Sequence, residues 1–163
     1  MATLEELEHR IQELEDLRAI ERLQANYWDT LDAKDWDGLR ECLIENFVFV
    51  NNTTGGRYEG REGMLATMQG KFTDGVVSSH QGHHHWIELT SENTAVSHWS
   101  LQDDLYDARH GGEFVGRAHY DNEYVKIDGC WYFAKMSLTY LRGEGSIKKC
   151  ADDCASAYQV FMM

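Results

Sequence analysis

Apolar residues recur along the first third of the chain at intervals of mostly three and four: Leu4, Leu7, Ile11, Leu14, Ile20, Leu23, Tyr27 and Leu31. That period is one face of a helix and predicts one from about residue 3 to 33. The opening part, Leu4 to Leu14, has heptad spacing among Glu and Arg, so it reads as a seam for a neighbouring chain or as a solvated helical extension, residues 1–13. Tyr27 and Asp32 lie near the end of this helix. Five residues are about 500° of rotation, so the two side chains stand about 140° apart and share a pocket only where it wraps the helix terminus.

A second short helix follows, capped by Asp35, with Trp36, Leu39 and Leu43 on one face. Phe47 to Val50 reads as a strand, closed by the turn-forming run Asn51 to Gly56. Arg57 to Gly60 reads as a short returning strand. Arg61 to Phe72 reads as a third helix with Met64, Leu65, Met68 and Phe72 on one side. The period then changes to two. Residues 83–90, 94–107, 114–127 and 131–141 alternate apolar and polar positions, separated by turns at Ser91–Asn93, His110–Gly112 and Asp128–Gly129. The layout is α+β, a meander of long antiparallel strands behind three helices. Residues 143–163 show little periodicity and read as a tail, in which Ala151 to Phe161 forms a short helix.

The alternation isolates polar residues in apolar rows. Trp99, Leu101, Asp103 and Leu105 share one face of their strand, so Asp103 is expected to be buried. A buried carboxylate needs a partner and shifts its pKa, which makes Asp103 a site candidate; an Asp satisfied by backbone amides is the plainer alternative. The segment from Ser79 to Trp86 carries four histidines, His80, His83, His84 and His85. Gly82 is a candidate bulge that would decouple His80 from the parity of the rest. A histidine moves protons near neutral pH, and a carboxylate beside it orients the ring, so His80 and Asp103 are a candidate dyad. A metal site is the rival, with His119 as an extra ligand, yet three consecutive histidines on a strand cannot converge on one ion. Edge-strand surface histidines are the third reading. Tyr27 is either core or a hydroxyl that needs a partner in a dry pocket.

Composition narrows the function classes. The 163 residues suit a single domain, and 42% apolar residues suit a packed core. The formal charge of −13 argues against nucleic acid and anionic membrane surfaces as partners. No apolar run approaches a membrane span, and the acidic N-terminus is neither a secretory signal nor a transit peptide. Cys42, Cys130, Cys150 and Cys154 fit no zinc or redox spacing, and they read as reduced thiols of a cytoplasmic protein.

The stretch NYWDTLDAKDWDGL, the segment SHQGH, the strand WSLQDDL and the hairpin HYDNEYVKIDGCWYF together resemble the SnoaL-like branch of the nuclear-transport-factor-two-like superfamily, over about residues 3–142. Within it the resemblance runs to bile-acid 7α-dehydratases and, more distantly, to scytalone dehydratases and ketosteroid isomerases. It implies a cone-shaped barrel, a strongly curved antiparallel sheet packed around the N-terminal helices, with one deep apolar pocket. It carries the catalytic residues onto Tyr27, Asp32, His80 and Asp103. His83, Trp99 and Tyr120 are expected to bind substrate, and Arg142 to neutralise an acidic substrate group.

The implied activity is that of a dehydratase without cofactor or metal, removing water from a hydroxylated cyclic ketone or enone of steroid or polyketide type. On this expectation His80, oriented by Asp103, takes the proton, Tyr27 binds the substrate oxygen or departing hydroxyl, and Asp32 holds Tyr27 or the leaving group. An isomerase or polyketide cyclase would use the same groups without losing water. A non-catalytic binding member is the further alternative, against which the four ionisable residues speak. The family habit of packing sheet on sheet implies a homo-oligomer, dimer or trimer, with a small apolar cyclic molecule as the ligand.

Overall fold

The computed structural model describes residues 1–109 and 111–147, with side chains through Gly143. The long apolar stripe forms one helix, α1 (Leu4–Ala33), and its second half is the buried half: Ile20, Leu23, Tyr27 and Leu31 face the core. Thr3 starts the helix with a reciprocal cap, its hydroxyl accepting the Glu6 N–H at 3.1 Å while the Glu6 carboxylate accepts the Thr3 N–H at 2.8 Å. Lys34, in the left-handed region at φ 59°, ends it by donating its N–H to the Leu31 and Thr30 carbonyls. Asp35 then caps α2 (Trp36–Glu41) as expected, accepting the Gly38 N–H at 3.0 Å.

The remaining elements are β1 (Leu43–Asn51), β2 (Gly56–Glu59), α3 (Arg61–Lys71), β3 (Val76–Ser91), β4 (Thr94–Asp107), β5 (Gly112–Ile127) and β6 (Cys130–Ile147). They form one sheet in the order β2-β1-β6-β5-β4-β3 with the helices over its inner face. Ala95, Ser97, Trp99, Leu101, Asp103, Leu105 and Asp107 of β4 all point to that face, the period-two row the sequence predicts. Asp107 is the structural acid of the row, its carboxylate held by Arg109 through Nε and a terminal nitrogen, both at 3.0 Å. The Asp128–Gly129 turn takes positive φ at both residues, 49° and 82°, which matches the twist of the hairpin it closes.

The structure corrects the sequence reading in three places. The sheet is not wholly antiparallel, because β1 enters beside the last strand and runs parallel to β6. β3 begins at Val76 rather than at residue 83; its first inward positions include Ser78 and His80, which hide the apolar period. The irregularity of β3 falls between His83 and Trp86, where His84 has φ 50°, and not at Gly82. Gly82 pairs regularly with Leu101 and is glycine for another reason. A Cβ there would lie 1.8 Å from the Trp28 ring. Gly82→Ala is therefore expected to destabilise the fold by about 1–3 kcal/mol. The check is urea unfolding, which should give a lower midpoint with an unchanged slope.

Where α1 leaves the sheet, Asp16 bonds Lys126 Nζ at 2.6 Å and the Trp131 indole N–H at 2.9 Å. Burial pushes this carboxyl up, but those two partners outweigh it and hold it below the ordinary carboxylate range. Among the described residues Cys42 and Cys130 are free thiols, and no helix is long and apolar enough to cross a membrane. Cys150, Cys154 and the expected helix at Ala151–Phe161 lie outside the described residues.

Candidate active site

The end of α1 and the start of β3 bring Asp32 and His80 together. One carboxylate oxygen of Asp32, Oδ1, accepts the Ser78 hydroxyl at 2.6 Å and lies 2.6 Å from His80 Nδ1. The other, Oδ2, accepts the His80 backbone N–H at 2.8 Å. Burial raises the Asp32 pKa, but the His80 and Ser78 hydrogen bonds and the imidazole charge together hold it below the usual range. An ionised carboxylate only accepts, so Nδ1 carries a proton, and in the neutral ring the lone pair is then on Nε2. The His80 side chain is 5% exposed and packs against Phe72, with ring centroids 5.9 Å apart.

Asp103 is the register partner of His80 on β4, so both side chains emerge side by side on the inner face. Only 2% of it is exposed, as its place in the apolar row predicts. Desolvation dominates its titration and raises the pKa; the Tyr140 hydrogen bond and the nearby His80 offset this only in part. The Tyr140 hydroxyl bonds Oδ2, while Oδ1 has no hydrogen-bond partner and presses on Gly116. A Cβ at Gly116 would sit 1.8 Å from that oxygen, so the site needs glycine there. The expected orienting role of Asp103 thus passes to Asp32, because α1 delivers its carboxylate directly onto Nδ1. Asp103 instead pairs with Tyr140.

Tyr27 and Tyr120 complete the inner wall. Their hydroxyls are hydrogen-bonded to each other, and burial raises both phenol pKa values. Both phenols therefore stay protonated at neutral pH. These two tyrosines, His80, Asp103 and Tyr140 line a cavity of about 60 Å³, whose remaining wall is mainly apolar but includes Asn51 and Lys71. That is room for about two waters. A ring-sized molecule must displace side chains to enter, and the unbranched Met64 and Met68 of α3 are the ones suited to move.

Of the eight residues expected at the site, five meet around this cavity: Tyr27, His80, Asp103 and Tyr120 in its wall, and Asp32 behind His80. Three do not. His83 is exposed on the outer face, since it lies three positions along the strand from His80 and an odd offset reverses its direction. Trp99 is buried away from the cavity, between Trp28 at 5.5 Å and a stacked His85 at 4.0 Å. Arg142 is exposed near the end of β6, opposite Arg117. Sequence reasoning missed Tyr140 and Ser78. A bulge around Ala134 shifts the parity of β6 between Phe133 and Met136, which conceals that Met136, Leu138 and Tyr140 share the inner face. Ser78 would have been found by counting two residues back from His80.

The chain resembles known proteins in sequence and fold. Scytalone dehydratase arp1 of Aspergillus fumigatus is 27% identical over 139 residues, 78% of this chain and 83% of the relative. The crystal structure of a candidate scytalone dehydratase from Novosphingobium aromaticivorans superposes with a TM-score of 0.77 at 22% identity, covering 83% of this chain and 90% of the other. Hexachlorocyclohexane dehydrochlorinase LinA-type3 from Novosphingobium barchaimii superposes at 0.75 with 17% identity, over 90% and 99% of the two chains. The sequence model of the SnoaL-like domain matches residues 12–137, and the chain belongs to that family.

Proposed function

We propose that this protein is a lyase that removes water from a hydroxylated cyclic ketone or enone by acid–base chemistry of its own side chains. The observation that carries the reading is the Asp32–His80 pair, whose free nitrogen faces a buried cavity across from two tyrosines and a protonatable aspartate. The names of the relatives agree, since a dehydratase and a dehydrochlorinase both break a C–H bond and a neighbouring bond to a leaving group.

His80 Nε2 takes a proton from carbon conjugated to the substrate carbonyl, with Asp32 stabilising the imidazolium that forms. Tyr27 donates to the carbonyl oxygen as negative charge builds there, and Tyr120 supports Tyr27. The C–O bond then breaks, and Asp103 gives its proton to the departing hydroxyl, which leaves as water. His80 returns its proton to Asp103, its neighbour across the two strands, and the site is reset. Cytoplasmic residence and a homo-oligomeric state belong to the same proposal, by family likeness. The steroid- or polyketide-like substrate class rests on the same likeness.

The test is a screen of cyclic β-hydroxyketones and hydroxylated enones with the purified chain, followed by ultraviolet absorbance and product mass. A conjugated product lighter by one water supports the reading. A product of unchanged mass would make the protein an isomerase or cyclase instead.

A further inference from the structure

Two polar residues of the cavity wall have no part in the proposed reaction. Lys71 ends α3 on the row of Met64 and Met68; at about 100° per residue the three fall within an arc of about 60°. Asn51 ends β1 on the inward row of Phe47 and Phe49. Each stands where the pattern calls for an apolar residue, as Asp103 does on β4. Both are half-buried while the apolar wall around them is buried, so they mark the side on which the cavity reaches solvent. What they offer there is donors. Asn51 Oδ1 accepts the Thr53 and Thr54 N–H groups at 3.0 and 3.1 Å, which uses both lone pairs and leaves Nδ2 as the group to face a ligand. The turn is tied to β6, because the Asn52 N–H donates to the Leu138 carbonyl and the Tyr140 N–H to Thr53 Oγ1, both at 2.8 Å. Lys71 Nζ lies 5.8 Å from the centroid of the Tyr58 ring and pairs with no carboxylate among the described residues. Lys126 and Lys135, by contrast, each hold one, at 2.6 and 2.7 Å.

We infer that Lys71 and Asn51 bind a carboxylate carried by the cyclic ketone this cavity takes, and so select acidic substrates over their neutral counterparts. This deepens the lyase reading and rests on it. A carboxylate has two acceptor oxygens and no donor, the complement of an ammonium and an amide N–H. With 28 acidic and 15 basic residues the chain as a whole repels anions, so a cation left uncommitted at the cavity runs against its general character. Asn51 on β1 and Asp103 on β4 are separated by β6 and β5 in the sheet. One ligand can therefore place its carboxylate at Lys71 and its ketone among Tyr27, Tyr120 and His80. Anchoring at a group remote from the reacting bond fixes which carbon faces Nε2 of His80. The acid-neutralising role expected of Arg142 thus falls to a residue that does line the cavity. A lysine in the last turn of α3 also suits the helix dipole, but that role is indifferent to the ligand.

The test is isothermal titration calorimetry of the full chain with cyclohexanone and decalone carboxylates and with the methyl ester of each. The carboxylates are expected to bind about tenfold more tightly than the esters. Lys71→Met should remove that preference, and Lys71→Arg should keep most of it. Asn51→Asp retains the acceptor that holds the turn but puts negative charge in place of the donor, so it should remove the preference too, with circular dichroism as the check on folding. Carboxylates and esters that bind alike, binding of neither, or a preference that survives Lys71→Met overturns the assignment. These ketones have no hydroxyl to lose, so the result is read without turnover. A chain that shows the preference yet dehydrates no hydroxyketone sinks the lyase reading alone. One that dehydrates neutral hydroxyketones and shows no preference sinks the carboxylate site alone.

Discussion

Replacing His80 by Ala is expected to lower turnover by about 10²–10⁴-fold while leaving the fold intact. The side chain makes one hydrogen bond, to Asp32, and otherwise borders the cavity, so its loss removes the base without opening the main core. Asp32→Asn should be nearly as damaging, for a different reason. An amide can donate where the carboxylate accepts, which turns the imidazole proton to Nε2 and leaves the cavity side without a lone pair. The pair is measured by kcat on any substrate the parent dehydrates, with circular dichroism as the control for folding. Added imidazole should recover part of the His80→Ala rate, because the vacated space faces the cavity. It should recover less in Asp32→Asn, where the ring still fills that space. A His80→Ala protein with parental turnover would remove the base assignment.

What the sequence made legible was whatever followed a single period. The α1 face, the Asp35 cap, the Asp128–Gly129 turn and the burial of Asp103 each follow from local spacing and turn chemistry. The fold class follows from the switch between periods of 3.6 and two. The Tyr140 partner of Asp103 and the outward direction of His83 did not follow, because each depends on a break in register. The bulge at His84 turns His83 outward relative to His85, Ile87 and Leu89, and the one around Ala134 brings Tyr140 inward. A bulge moves every later side chain to the other face, so one extra residue changes the membership of a site without changing the pattern on either side. The parallel contact between β1 and β6 joins segments far apart in sequence, and no local signal encodes it. Asp32 was found, yet its role was exchanged with that of Asp103. Helix geometry gave its direction near the terminus but not the strand that the terminus meets.

Asp103→Asn is expected to do two opposite things: stabilise the protein above the carboxylate range and lower turnover by about 10²–10⁴-fold. The native carboxyl titrates above its ordinary value, chiefly because it is desolvated. Between the unfolded and the native pKa the folded chain holds a proton that the unfolded chain has released. Stability contributed by this group therefore falls as pH rises through that window. The asparagine carries no such proton, so its urea midpoint should decline less than that of the parent as pH rises above the ordinary carboxylate range. Asp32 has the opposite sign. Its lowered pKa supplies stability above the unfolded value, and this is lost as pH falls through the native one, so Asp32→Asn should flatten the acid side instead. Two carboxyls that flank one histidine are thus separable by the sign of a stability slope, without any substrate. If Asp103→Asn keeps the parental slope, Asp103 does not hold a proton in the folded chain, and the departing hydroxyl must take its proton from another group. If the slope flattens as turnover falls, the unfavourable burial of Asp103 beside Gly116 and Tyr140 is what keeps that proton available for the leaving group.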